Sequence, residues 1–290
     1  MRHLLTPTTT PTARFHAPLL VAASLASLSF SAAAQYSTTA GVDGHLLGST
    51  TTPGDVSYAY DSGAGVSAVI AFTSSPIASV SYAASAFNPL GQIAVSGGGN
   101  MTYRFEVTAQ PFTSVPIDFS GLYSSYQGSR GSAAQTLFSI QTVNSSVSTY
   151  ATFQSYLYGC DTPGCLQYTT FGNTTYTSVQ SDALHVEGAF QGMVDMLTGA
   201  DGKVVGQVDL RASAYLNHYF INAGATTFID PHLEIDAGFV AANPGATLTI
   251  TPGVGNDIAG IPAVPEPSTY ALLLGSVALV GAATRRKTKR

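Results

Sequence analysis

The sequence contains no tryptophan, only two cysteines and few charged residues, which make up 9% of its 290 positions. An average globular domain has about 25% charged residues, so this scarcity excludes a polyelectrolyte segment and a nucleic-acid-binding protein. Glycine and proline together make up about 15% of the chain, below the roughly 25–30% that is typical of low-complexity disorder. Because 45% of the residues are hydrophobic, we expect a folded domain with a substantial core.

The few charges are unevenly distributed along the chain. Arg2 and Arg14 lie near the N-terminus, and five basic residues stand among the last six positions. Between Gln35 and Val264 there are 15 acidic but only 4 basic residues, so this central region carries a net charge of about −11. The two ends therefore say more about where the protein goes than the composition of the middle says about what it binds.

The N-terminal segment has the order of an export signal, with basic residues first, then an apolar run and then small residues. Arg2 and Arg14 precede an uncharged run from Ala17 to Ala34 that ends in three alanines. We therefore predict a signal peptide over residues 1–34, which the secretion translocon recognises and signal peptidase cleaves between Ala34 and Gln35. The alternative is a buried helix, but the serines of this run suit cleavage better than a core.

The two cysteines, Cys160 and Cys165, are separated by four residues that include the pair Pro163-Gly164. An exported chain enters an oxidising compartment, and a tight turn at this pair can bring the two Cα atoms within bridging range. We expect a local disulfide that contributes about 2 kcal/mol through the loop it closes. A reversible redox pair is the alternative interpretation of the same spacing.

The C-terminus has the features of a second targeting signal. Pro265-Glu266-Pro267 is followed by the uncharged run 268–284 and then by the basic cluster 285–290. As a helix, the run spans roughly 25 Å, slightly less than a hydrocarbon core of about 30 Å. Basic residues favour the cytoplasmic side of a membrane. We therefore predict a short transmembrane helix that leaves the central region outside the inner membrane.

This order of a Pro-Glu-Pro triplet, a short apolar helix and an arginine-rich end closely resembles the PEP-CTERM sorting signal of exosortase substrates. We assign residues 263–290 to the signal, with Pro265, Glu266 and Pro267 as its sorting motif. The resemblance implies a Gram-negative host, transient anchoring in the inner membrane, processing by an exosortase, and delivery to the cell surface or extracellular matrix. Proteins of this class are usually associated with exopolysaccharide and biofilm. A plain membrane anchor is the alternative.

The region between the two signals, residues 35–262, shows the period-two alternation of half-buried strands. Met101–Ala109 alternates strictly, and Val147–Leu157 and Val204–Leu216 follow the same rule, with a bend or bulge permitted at Gly206. We predict one all-β domain, an antiparallel β-sandwich or jelly roll. Further strands are predicted at Val66–Phe72, Ile77–Ala83, Thr136–Val143, Leu184–Phe190, Thr226–Ile229 and Ala246–Thr251, and turns at Gly97-Gly98-Gly99-Asn100, Pro163-Gly164, Asp201-Gly202 and Asn243-Pro244-Gly245.

Residues with catalytic or metal-binding chemistry are few. The histidines of the central region lack HExxH or HxH spacing, and a GxSxG nucleophile elbow is missing. In an extended strand Asp230, His232, Glu234 and Asp236 would share one face, where they could hold Ca²⁺ or a softer metal. A solvated outer face explains the same alternation, and we favour it. We accordingly expect no catalytic residue, no metal, no cofactor and no enzyme.

Tyrosines are the remaining candidates, because their rings can stack on the faces of sugars. Tyrosine is also a strong strand former, so a β-rich chain contains many of them without binding a sugar. We expect a non-enzymatic structural or adhesive component of the exopolysaccharide or biofilm matrix. The alternatives are a lectin-like polysaccharide-binding module and a secreted hydrolase. The candidate ring residues are Tyr123, Tyr126, Tyr150, Tyr156, Tyr158, Tyr168 and Tyr176.

Overall fold

The computed structural model describes residues 36–62, 65–76, 78–87, 94–127, 132–143, 147–158, 166–182, 184–217 and 222–256. The predicted cleavage site at Ala34 and Gln35, the cysteine pair and the sorting motif with its helix all lie outside these residues. Within the described ranges, no helix is long and apolar enough to cross a membrane.

Strands dominate the described ranges, which also contain one short helix. In chain order they are β1 (Tyr36–Val42), β2 (His45–Thr50), β3 (Val56–Asp61), β4 (Val66–Thr73), β5 (Ser79–Phe87), β6 (Ala94–Thr108), β7 (Ser114–Gln127), β8 (Ser132–Val143), β9 (Tyr150–Tyr158), β10 (Leu166–Phe171), β11 (Asn173–Asp182), β12 (His185–Leu197), β13 (Lys203–Asn217), β14 (Asn222–Ile235), helix α1 (Ala237–Ala242) and β15 (Thr247–Ile250).

The strands form two antiparallel sheets that pack face to face. Sheet A has the order β10-β9-β8-β13-β6-β1-β2, and β15 pairs with β6 just beyond the stretch that pairs with β1. Sheet B has the order β11-β12-β7-β14-β5-β4-β3. Across the interface β13 contacts β14 and β5, β8 contacts β14 and β7, and β9 contacts β12. The prediction of an all-β protein with antiparallel sheets is confirmed.

The core between the sheets is built around aromatic rings. Phe138 of β8 contacts Phe119 and Phe190 of sheet B, with ring centroids 5.0 and 4.9 Å apart. Phe153 of β9 stacks on Phe190 at 4.8 Å with the two ring planes 7° apart. Each buried ring contributes roughly 1.5–3 kcal/mol through its removal from water. The inward positions predicted for β6 and β13 are buried, except Ala109, which lies just beyond β6 and is only partly buried. The buried ones are Met101, Tyr103, Phe105, Val107, Val204, Val208, Leu210, Ala212, Ala214 and Leu216.

Glycines that face aromatic residues fix the register of paired strands. Three such pairs alternate between β7 and β12: Tyr123 with Gly188, Phe190 with Gly121, and Phe119 with Gly192. A fourth pair joins Gly206 of β13 to Phe105 of β6. A Cβ added at Gly206 would lie only 2.1 Å from the Phe105 ring. A one-residue slip would reverse the face of every side chain, so these pairs favour one register.

One glycine prediction is wrong, and of the bend or bulge permitted at Gly206 the bulge is not found. The run Gly97-Gly98-Gly99-Asn100 lies inside β6 and forms no turn. At Gly99 a Cβ would lie 2.6 Å from Ile70 of the opposite sheet, so the glycine provides space for packing. Gly206 marks no bulge, because the register of β13 with β6 and with β8 runs through it without a shift.

The other boundaries follow from local turn chemistry. Gly202 has a φ of +74°, and the Lys203 N–H donates to the Asp201 carboxylate, which confirms the predicted turn before β13. Residues 244 and 245 form the predicted turn before β15. The predicted start of β9 at Val147 is wrong, since the strand begins at Tyr150 and Val147 is exposed. The turn predicted at Pro163-Gly164 lies outside the described residues.

Candidate functional site

The acidic segment at the end of β14 does not form the shared solvated face that its sequence predicts. Asp230 is completely buried, and its Oδ1 accepts a hydrogen bond from the Leu122 N–H at 2.9 Å. The next residue, Pro231, has no N–H to donate to the neighbouring strand. The Asp230 carboxylate therefore belongs to the pairing of β14 with β7, and the prediction of solvation is wrong for this residue.

The remaining members of the segment have separate contacts. Asp236 lies beyond the strand and caps helix α1, since its Oδ1 accepts from the Phe239 N–H at 2.7 Å. The His232 Nδ1 is hydrogen-bonded to the carbonyl of Asn256. Glu234 is exposed, as predicted, with its Oε2 3.9 Å from the His232 Nε2. Nowhere in the described ranges do three His, Cys, Asp or Glu side chains form a group that could hold a metal ion.

The predicted tyrosines are divided among three environments. Tyr123 lies in the core, where burial first and a hydrogen bond with Tyr168 second raise the pKa of its phenol. Tyr168 and Tyr176 stack at 4.1 Å between the edge strands β10 and β11. Tyr126 is exposed on the outer face of sheet B. Only the three tyrosines of β9 remain together on the outer face of sheet A: Tyr150, Tyr156 and Tyr158.

A groove of about 490 Å³ crosses this outer face of sheet A. Along it runs a row of directly paired residues from five neighbouring strands: Tyr156, Gln135, Ser213, Gly98 and Gly41. At about 4.8 Å between strands, the row extends over roughly 19 Å. Three of its five members are serine or glycine, so the middle of the row forms a floor below the level of the Tyr156 ring.

The hairpin between β1 and β2 forms one wall of the groove. Val42 pairs with His45 across Asp43-Gly44, whose φ angles of 50° and 77° are those of a type I′ turn. The Asp43 N–H donates to the Ser96 carbonyl at 2.7 Å, and the Asp43 carboxylate accepts from the Ser96 N–H at 2.8 Å. These two bonds fix the hairpin against β6. The Asp-Gly pair between two strand-like runs is the sequence signal that predicts this hairpin.

Tyrosines form the opposite side. Ala133 of β8 pairs directly with Tyr158 of β9 and with Tyr215 of β13, so a small residue separates two exposed rings. Their Cα atoms lie two strand spacings apart, or about 10 Å. Tyr156 lies beside Tyr158 with ring centroids 5.5 Å apart. Partial burial, and then the neighbouring Tyr158, raise the pKa of Tyr156, so its phenol remains a neutral donor and acceptor at neutral pH.

The polar side chains of the groove are available to a ligand. Asn100, Gln135 and Arg211 line it. Within the described part of the chain, a long 3.4 Å bond from the Ser213 hydroxyl to Gln135 is the only hydrogen bond that their side chains make. Ring faces beside two side-chain amides and a guanidinium form a surface suited to a sugar chain. Arg211 and Tyr215 were missed by the sequence analysis because only the pairing of β13 with β8 brings them next to β9.

Comparison with known proteins concerns the C-terminus. Residues 263–287 match the PEP-CTERM protein-sorting motif, a range that contains the predicted triplet Pro265-Glu266-Pro267. No curated protein matches the chain. The matched motif covers the tail and leaves the groove of the sandwich unassigned. The chain therefore carries a PEP-CTERM sorting motif, which implies sorting by an exosortase to the cell surface.

Proposed function

We propose that this protein is a non-enzymatic adhesive component of the extracellular matrix that binds exopolysaccharide through the groove of sheet A. The observation that carries the proposal is the presence of solvent-accessible tyrosine rings and of the Gln135 and Asn100 amides around a floor of small residues. Tyr156 and Tyr215 provide ring faces for stacking, while Gln135 and Asn100 provide donors and acceptors for sugar hydroxyls. The sorting motif supports the location, since it implies delivery to the cell surface.

The distribution of exposed rings favours specific binding over a purely structural role. Exposed apolar side chains that gather on one face mark an interaction surface, whereas scattered ones do not. A sandwich that served only as a spacer would need no such face. We therefore rank polysaccharide binding above the structural role that the sequence alone favours. The ring centroids of Tyr150 and Phe171 are 5.5 Å apart. The aromatic residues on the outer face of sheet A are Tyr150, Tyr156, Tyr158, Phe171 and Tyr215.

The two terminal signals complete the proposal. Residues 1–34 direct export through the translocon and are removed by signal peptidase. The tail holds the chain in the inner membrane until the exosortase processes it at or near the sorting motif. The sandwich then reaches the surface or the matrix and remains there because it binds polysaccharide. It carries an excess of acidic residues and no catalytic motif of its own.

The test is affinity gel electrophoresis of the processed protein from its native host, in gels that contain the exopolysaccharide of that host. We expect wild type to be retarded and Tyr156→Ala and Tyr215→Ala to bind about tenfold more weakly, which corresponds to about 1.4 kcal/mol. Tyr126→Ala is the matched control, because Tyr126 is 43% exposed on the other sheet and Tyr215 is 40% exposed on the groove. Equal retardation of all four proteins would contradict the proposal.

A further inference from the structure

The Arg211 guanidinium lies in the groove without a partner among the residues that the structure describes. Arg211 is exposed on β13, and no hydrogen bond or ion pair joins its side chain to any other residue in the described ranges. Its strand neighbours across the sheet are Asn100 on β6 and Leu137 on β8, neither of which is charged. The central region has only four basic residues against 15 acidic ones. Because basic residues are scarce in this region, a cation in the groove without an internal ion-pair partner in the described ranges indicates a contact with a ligand.

The acidic side chains near Arg211 are already engaged. Asp209, two residues away on the same face, accepts from the Thr102 hydroxyl at 2.6 Å and from the Gln207 amide at 3.1 Å. The Gln141 amide lies 3.4 Å from its other oxygen. Asp43 in the hairpin wall accepts from a backbone N–H. These bonds hold both carboxylates in place, and neither forms an ion pair with Arg211.

The other described cation of β13 shows the contrast. Lys203 lies at the start of the strand, and its Nζ contacts the Glu106 carboxylate at 2.6 Å. This pair, with first the hydrogen bond and then the charge of Glu106, raises the pKa of the Lys203 ammonium. Lys203 thus has an ion-pair partner on β6, whereas Arg211, on the same strand as Lys203, has none in the described part of the chain.

We propose that the groove selects a polysaccharide with carboxylate-bearing sugar units, and that Arg211 is the residue that binds the carboxylate. A guanidinium presents a planar fork of donors that fits a carboxylate with two parallel hydrogen bonds. The stacking face of Tyr215, four residues further along the same side of β13, would hold the neighbouring part of the polysaccharide. This inference rests on the proposed function and adds the charge of the ligand to it.

The experiment compares two forms of one ligand: the exopolysaccharide of the native host, and the same material after chemical reduction of its carboxyl groups to neutral alcohols. We expect wild type to bind the untreated polymer about tenfold more tightly than the reduced one. Arg211→Gln should remove this difference and leave binding to the reduced polymer unchanged, while Arg211→Lys should retain part of it. Lys203→Gln, which removes one charge from the same strand, is the matched control and should keep the full difference.

Each outcome decides a separate question. If wild type binds both forms equally, or if Arg211→Gln and Lys203→Gln behave alike, the inference about charge is overturned. In that case a loss of binding in Tyr215→Ala still supports the proposed function. If wild type binds neither form, the proposed function itself fails. Thermal unfolding of each variant shows that the fold is intact, which the exposure of Arg211 leads us to expect.

Discussion

The contact between Gly206 and Phe105 gives a sharp test of how the sandwich sets its register. In Gly206→Ala the new Cβ would lie 2.1, 2.5 and 2.7 Å from three atoms of the Phe105 ring, against about 3.5–4.0 Å for a relaxed carbon contact. The ring is 2% exposed, so it has little room to move. Overpacking of this kind costs about 1–3 kcal/mol, which outweighs the roughly 0.4–1 kcal/mol that alanine contributes by restricting the unfolded chain.

We therefore expect a net loss of about 1–2 kcal/mol in the free energy of unfolding, measured by urea titration. Gly224→Ala in β14 is the control, because its Cβ would lie at an ordinary 3.5 Å from the Ala84 carbonyl of β5. It should be neutral or slightly stabilising. In a Phe105→Leu background the cost of Gly206→Ala should fall, since the atoms that clash belong to the ring. An unchanged cost there, or equal stability of the two alanine variants, would refute the reasoning.

Three further predictions concern other parts of the chain. Asp118→Asn should stabilise the protein by about 0.2–1 kcal/mol at neutral pH, because Asp118 faces Glu234 across β7 and β14. Burial first and nearby acids second raise the pKa of Asp118, so its ionised form is disfavoured in the fold. The gain in stability of Asp118→Asn should therefore vanish on acidification, which thermal unfolding at neutral and at acidic pH would check. Asn256→Ala should cost about 1–3 kcal/mol in a urea titration, because the Asn256 amide accepts from the Leu233 N–H at 2.8 Å and donates to the Leu233 carbonyl at 2.6 Å. Replacement of residues 265–267 by alanines should leave the tail uncleaved, as seen by intact mass in the native host, and normal processing would favour a plain anchor.

Alternation along single strands could be predicted from the sequence, while contacts between strands could not. The period-two pattern of β6 and β13 places Met101 and Leu210 in the core, because each strand has one buried face. The glycine run of β6 misled the same approach, because glycine is typical of turns and also of places where strands pack closely. Here Gly99 packs closely against Ile70. Asp230 was misplaced because its alternation suggested solvent, whereas its carboxylate bonds the neighbouring strand.

The groove shows where sequence reasoning ends. The residues that line it come from six strands, and those that meet there, such as Tyr156 and Ser213, are brought together only by the pairing of β8 with both β9 and β13. A count of tyrosines therefore indicated a type of ligand but could not separate the core ring of Tyr123 from the groove ring of Tyr156. The terminal sorting motif, by contrast, is contiguous, and its match at residues 263–287 confirms the sequence prediction.

The most direct test of the central claim is a crystal structure of the processed protein with an oligosaccharide released from the exopolysaccharide of its host. We predict sugar density across the outer face of sheet A, with one ring stacked on Tyr215 or Tyr156 and hydroxyls bonded to Gln135. Density on sheet B alone, or an empty groove at saturating oligosaccharide, would contradict the claim that this face binds polysaccharide.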